Sequence, residues 1–119
     1  MDNDRKRQLK RSYKERRPEM GIVSFCCEPT QDLFLAWAKD TQAVINSNRF
    51  QLSADSHPNL TLQNLWNTHG PEAFAITVLE TLPYDEDDSK DDYTEDLQTL
   101  LELCLSHSPQ AQKMLKRQR

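Results

Sequence analysis

The cysteines and histidines of this 119-residue chain, three of each, are scattered. Two cysteines, Cys26 and Cys27, stand side by side in "GIVSFCC", and the third, Cys104, lies far along the chain. In an extended strand successive side chains face opposite ways, so Cys26 and Cys27 cannot both reach one metal without distortion. No CxxC spacing occurs anywhere, so a zinc site lacks its usual ligand pattern. An odd number of cysteines without an export signal fits free thiols in a reducing compartment. His57 precedes Pro58 and is expected to fix the loop ahead of a helix. His69, beside Gly70, falls where a helix ends and a positive charge is favoured. Hydroxyls and carboxylates are many, but nothing in their spacing places a nucleophile, base and acid together. The acidic run "YDEDDSKDDY" (84–93) lacks the glycine and the twelfth-place glutamate of an EF-hand, which leaves a solvated acidic loop or a cation-binding loop of another kind.

Charge divides the chain into three. Residues 1–17 hold eight bases against three acids, a net +5, and residues 113–119 hold four bases and no acid, a net +4. Between them Lys39, Arg49 and Lys90 face sixteen acids, a net −13. Phosphate affinity rests on Lys and Arg, and an acidic surface repels phosphate, so nucleic-acid contact is expected only through the ends. Arg5, Lys6, Lys10, Arg11, Lys14 and Arg17 are the candidate phosphate contacts, the alternative being a solvated helix that leans on the acidic body. The −13 middle fits a basic protein partner instead. No run of about 18 apolar residues predicts a transmembrane helix, and no apolar segment follows the charged N-terminus as in a signal peptide. The expected location is cytoplasmic, with no membrane partner.

The elements that must position these groups follow from periodicity. "DRKRQLKRSYKERR" (4–17) reads as a basic helix ended by Pro18, with an apolar stripe only Leu9 and Tyr13 wide. "GIVSFCC" and "LFLAWA" read as a hairpin turning through Glu28 to Asp32. Asp40 caps a helix over about 41–52, and Asn59 caps a second over 60–69 that Gly70 ends. Phe74, Ile76 and Val78 alternate along a third strand, expected at the sheet centre. Thr94 is expected to cap a last helix bearing Leu97, Leu100, Leu101, Cys104 and Leu105 at helical spacing. The expected fold class is α+β: a small three-stranded antiparallel sheet flanked by helices in the order β-β-α-α-β-α, with a basic N-terminal helix. The expected division is a basic arm over 1–19, a domain over 20–106 and a basic tail over 107–119.

From Gly21 to about Leu105 the chain resembles a GIY-YIG nuclease domain of the homing-endonuclease type. "HPN..LQ..W...G...F....LE" carries most of that resemblance. The two tripeptides fall on Gly21-Ile22-Val23 and Phe34-Leu35-Ala36. The resemblance implies a tyrosine from each tripeptide, an arginine on the next helix and a metal-binding glutamate acting on a DNA phosphodiester. Position by position, Val23 and Phe34 stand where the tyrosines belong, Ala36 where a glycine belongs, and Val44 at the arginine. His57 matches the loop histidine. Arg49 is the nearest cation, Glu95 is the best match to the metal glutamate and Glu102 the second. Val23 and Phe34 can neither donate a hydrogen bond nor transfer a proton.

Three functions remain open at this point. One is a non-catalytic relative that binds nucleic acid or protein, or regulates, and needs no cofactor. Another is a Mg²⁺- or Mn²⁺-dependent endonuclease using His57, Arg49 and Glu95 as replacements. The third is an acidic protein-interaction adaptor.

Overall fold

The computed structural model describes residues 17–86 and 92–114. The expected N-terminal helix falls almost wholly outside those residues. The described chain runs β1 (Met20–Cys27), β2 (Asp32–Ala38), α1 (Thr41–Ser53), α2 (Leu60–His69), a 3₁₀ turn (Pro71–Ala73), β3 (Phe74–Leu82), α3 (Thr94–His107) and β4 (Ala111–Lys113). The class is α+β, as the sequence implies.

The sheet has four strands rather than three, in the order β3-β1-β2-β4. β1 pairs antiparallel with β2 and β3, while β4 runs parallel to β2. β4 lies inside the stretch read as a basic tail. Its sequence, Ala-Gln-Lys, has no apolar alternation, so its strand identity comes from its partner: Leu33, Phe34 and Leu35 pair with Ala111, Gln112 and Lys113. Met114 follows, fully buried, and donates its N–H to the Leu35 carbonyl at 2.8 Å. Lys113 also pairs with Glu102 of α3 at 2.9 Å.

β1, not β3, holds the sheet centre. "MGIVSFC" is a near-continuous apolar run, as a strand covered on both faces requires, and only Cys26 in β1 is less than buried. β3 is an edge strand, mostly half-buried or exposed beyond Phe74. Its alternation breaks at Leu79: Ile22 pairs with Glu80 but Val23 pairs with Val78. Leu79 is thus one residue too many, a β-bulge that resets which face the following residues take. Phe74 and Ile76 pack into one core, and Leu82, beyond the bulge, into the other. The strands crowd here so closely that a Cβ on Gly21 would sit 2.0 Å from the Glu80 carbonyl oxygen. Gly21 is therefore a glycine for packing.

Each sheet face carries its own core. On one, Val23, Phe25, Phe34 and Ala36 meet Leu52 of α1 and Leu62 and Trp66 of α2, with Met114 among them. Trp66 packs against Phe74, the rings tilted by 44° and 5.3 Å apart between centroids. On the other, Ile22, Leu35 and Trp37 meet Leu97, Leu101 and Cys104 of α3. Alternate residues of β1 and β2 supply the two faces, the direct consequence of strand geometry. The caps follow the sequence for two helices: Asp40 accepts Ala43 N–H and Asn59 accepts Leu62 N–H, each at 3.1 Å. Thr94 is not the cap of α3 but its first residue, its N–H held by the Asp92 carboxylate at 3.0 Å.

Candidate functional site

The two tripeptides lie next to each other at the sheet centre, with Val23 opposite Ala36 and Phe25 opposite Phe34. Val23 and Phe34 are 0% exposed and Ala36 1%. Together with Val44, half-buried on α1, they form part of the apolar core beneath α1 and α2. The place where the resemblance puts two phenols and a guanidinium is therefore filled by side chains that offer no proton and no cation. Arg49 does not compensate. It follows Val44 by five residues, about 140° round the helix, and is exposed.

His57 is 3% exposed and both its ring nitrogens are engaged. The Asn59 N–H donates to Nδ1 at 3.0 Å, which leaves the proton on Nε2, and Nε2 donates to the Asn48 amide oxygen at 2.7 Å. Asn48 in turn donates to the Val44 carbonyl. Gln63 accepts the His57 N–H and donates to the Leu52 carbonyl and to Asn67, which donates to Asp55. The Asn59 amide reaches the Met114 carbonyl at 2.9 Å. His57 thus joins α1, α2 and the segment after β4, and it has no nitrogen left to act as a base. No described buried side-chain polar atom lacks a partner.

Burial lowers the His57 pKa, and a proton on Nδ1 would set donor against donor at Asn59. The unfolded chain takes up this proton more readily, so His57 contributes stability above the ordinary value of 6.5 that is lost as the pH falls below it. Denaturation followed from pH 7.5 down to pH 5.5 should show the wild type losing stability, and His57→Gln, less stable at pH 7.5, losing less over the same interval. Parallel curves would show that His57 does not set the slope.

Glu95 is exposed in the first turn of α3. α3 covers the sheet face opposite α1 and α2, so Glu95 is not brought to Val23, Phe34 or His57. Glu102 is engaged by Lys113. Among the described residues no three His, Cys, Asp or Glu side chains are grouped to hold a metal ion. The residues present do not fit the divalent-metal centre that the resemblance implies.

The cysteines are free: Cys27 and Cys104 buried, Cys26 half-buried. Burial, then neighbouring Glu28, pushes the Cys26 thiol up, and burial, then Glu80, raises Cys104. A raised thiol pKa disfavours the reactive thiolate. No described helix is long and apolar enough to cross a membrane.

Of the candidate phosphate contacts, Arg5, Lys6, Lys10, Arg11 and Lys14 lie outside the described residues. Arg17 does not project freely. Its guanidinium lies over the Tyr84 ring, 4.9 Å from the centroid. Tyr84 donates its hydroxyl to the Pro18 carbonyl at 2.6 Å and meets Tyr93 edge-on at 5.4 Å. The Tyr93 hydroxyl accepts the Asp85 N–H at 2.9 Å. Two tyrosines bracketing the acidic run were the one signal of this cluster in the sequence.

No protein-family model matches the chain, and no curated protein matches it. Two solved structures match its fold. One is the catalytic domain of the homing endonuclease I-TevI, at a TM-score of 0.61 and 19% identity, over 74% of this chain and 86% of that one. The other is a point mutant of the same domain, at a TM-score of 0.65 and 16% identity, over 84% of this chain and 97% of that one. At such identity the likeness establishes a GIY-YIG-like fold.

Proposed function

We propose that this chain, which has a GIY-YIG-like fold, is a non-catalytic module that binds nucleic acid through its basic N-terminal arm. The observation that carries the first half is the sealed core at the tripeptides: Val23 and Phe34 are fully buried under α1 and α2, with no reactive group and no opening for a phosphate. Phosphodiester cleavage needs a group to activate water, a cation on the phosphate and stabilisation of the leaving oxygen. Replacing several of these together leaves little for the remainder to rescue. His57, spent on Asn48 and Asn59, supplies no base.

The second half rests on charge. The body's net −13 repels phosphate, so affinity must come from the basic ends. The function requires no cofactor, and the module works in the cytoplasm.

The test is a nicking assay on supercoiled plasmid and on branched DNA with Mg²⁺ and with Mn²⁺, alongside a gel shift on short duplex. Purified protein should leave the DNA uncut in either metal while shifting the duplex in a salt-sensitive way. Cleavage abolished by Glu95→Ala would overturn the non-catalytic reading. Absence of any shift at low salt would favour a basic protein as the partner of the acidic body.

A further inference from the structure

β3 ends the sheet. It pairs with β1 on one side, and among the described residues no strand lies on the other. Alternate backbone N–H and C=O groups therefore face outward with no strand to meet them, a template on which a further strand can form. Soluble proteins commonly blunt such an edge with Lys, Pro or a bulge. β3 has its bulge only at Leu79, and the five residues before it, 74–78, contain neither a charge nor a proline. α3 leaves the ground beside this edge uncovered. Its Leu97, Leu101 and Cys104 face the sheet. Glu102 lies about 100° round the helix from Leu101 and meets Lys113 of β4. Leu103 lies about 100° from Cys104 in the opposite sense, on the flank turned toward β3, where the Glu80 charge acts on Cys104. Leu103 is 52% exposed and Leu79 43%. An open strand edge and two uncovered leucines thus lie along one side of the molecule.

We propose that this edge, residues 74–78 of β3, takes an extended basic segment of another protein as a further strand, whose apolar side chains cover Leu79 and Leu103. In such an addition backbone pairing supplies affinity, and side chains at alternate positions supply choice. Charge selects the occupant. Glu72 and Glu80, both exposed, stand at the two ends of the free stretch, one ahead of Phe74 and the other past the bulge. A second copy fits poorly. Two β3 edges paired antiparallel about Ile76 would bring Glu72 of each toward Glu80 of the other, and like charges facing across strands destabilise a pair. A strand with Lys or Arg spaced as Glu72 and Glu80 are turns both repulsions into attractions. The surrounding body, net −13 over residues 18–112, draws the same kind of partner from a distance. This contact uses none of the N-terminal bases, so it stands whether or not the arm grips nucleic acid.

The experiment uses the full chain, isotope-labelled, and two end-blocked peptides of the length of β3, 9 residues, that alternate Val and Thr between two terminal Lys or two terminal Glu. Amide NMR reads which signals shift and which become protected from hydrogen exchange. The Lys peptide should shift residues 74–78 and slow exchange along β3. At low salt it should bind about tenfold more tightly than the Glu peptide, the difference between two exposed ion pairs and two repulsions. Glu72→Lys/Glu80→Lys, at two exposed positions, should reverse that preference while the same residues shift. Shifts confined to other residues, or no binding of either peptide, would show that the edge accepts no strand. Equal binding of the two peptides to both proteins would overturn the basic partner. A concentration-dependent dimer with residues 74–78 at its interface would make a second copy the occupant instead.

Discussion

Removing residues 1–16 should lower affinity for a short DNA duplex at least about a hundredfold near physiological salt, because it leaves an acidic body facing a polyanion. The deleted segment holds seven of the chain's fifteen bases. Each phosphate contact releases counterions and contributes about −0.9 to the slope of log affinity against log salt. Loss of contacts by Arg5, Lys6, Lys10, Arg11 and Lys14 should therefore flatten that slope by about 4.5. Gel shifts at several salt concentrations measure both quantities, and a melting curve checks that the body still folds. The truncated chain keeps Lys116, Arg117 and Arg119. If it binds as tightly and as steeply as the full chain, the C-terminal bases grip the phosphates and the arm does not.

Phe34→Ala should cost about 3–5 kcal/mol, a large share of the 5–15 kcal/mol that holds a domain together. Phe34 is fully buried among Phe25, Ala36, Leu62 and Met114, so the truncation leaves a cavity at the sheet centre. Phe34→Tyr tests the same site from the other side. It restores a phenol where the resemblance places one, but the hydroxyl enters an apolar core, and an unpaired buried hydroxyl costs about 1–3 kcal/mol. Urea denaturation should rank wild type above Phe34→Tyr above Phe34→Ala, and Phe34→Tyr should not nick plasmid. A stability-neutral Phe34→Tyr would mean that the position opens to water, and the filled-site argument for a non-catalytic domain would fail.

Local signals were legible wherever local chemistry decides. Asn59 and Gly70 bound α2 at the residues the sequence names, because the cap and the stop are side-chain and backbone properties of those positions. The hairpin and α1 follow for the same reason. What the sequence hid is non-local. β3 alternates properly up to Val78, but its place at the sheet edge depends on the pairings of β1. β4 exists because the Leu35 backbone and the Met114 pocket recruit a polar tripeptide. Asn48 looks like a poor helix former in mid-helix until His57 accounts for it. At the candidate site, residue types alone showed that Val23 and Phe34 lack reactive groups. That the space above them is packed shut took the positions of α1 and α2.

The parallel pairing of β4 also bears on the order in which the chain assembles. A polypeptide made from its N-terminus exposes the outer side of β2 until residues 111–114 emerge. During that interval the Phe34-Leu35 edge offers unpaired backbone groups to any neighbouring nascent chain, the situation in which strands pair with the wrong partner. Pairing of residues 111–114 supplies partners together for the open edge, the slot beneath the helices and the Asn59 amide.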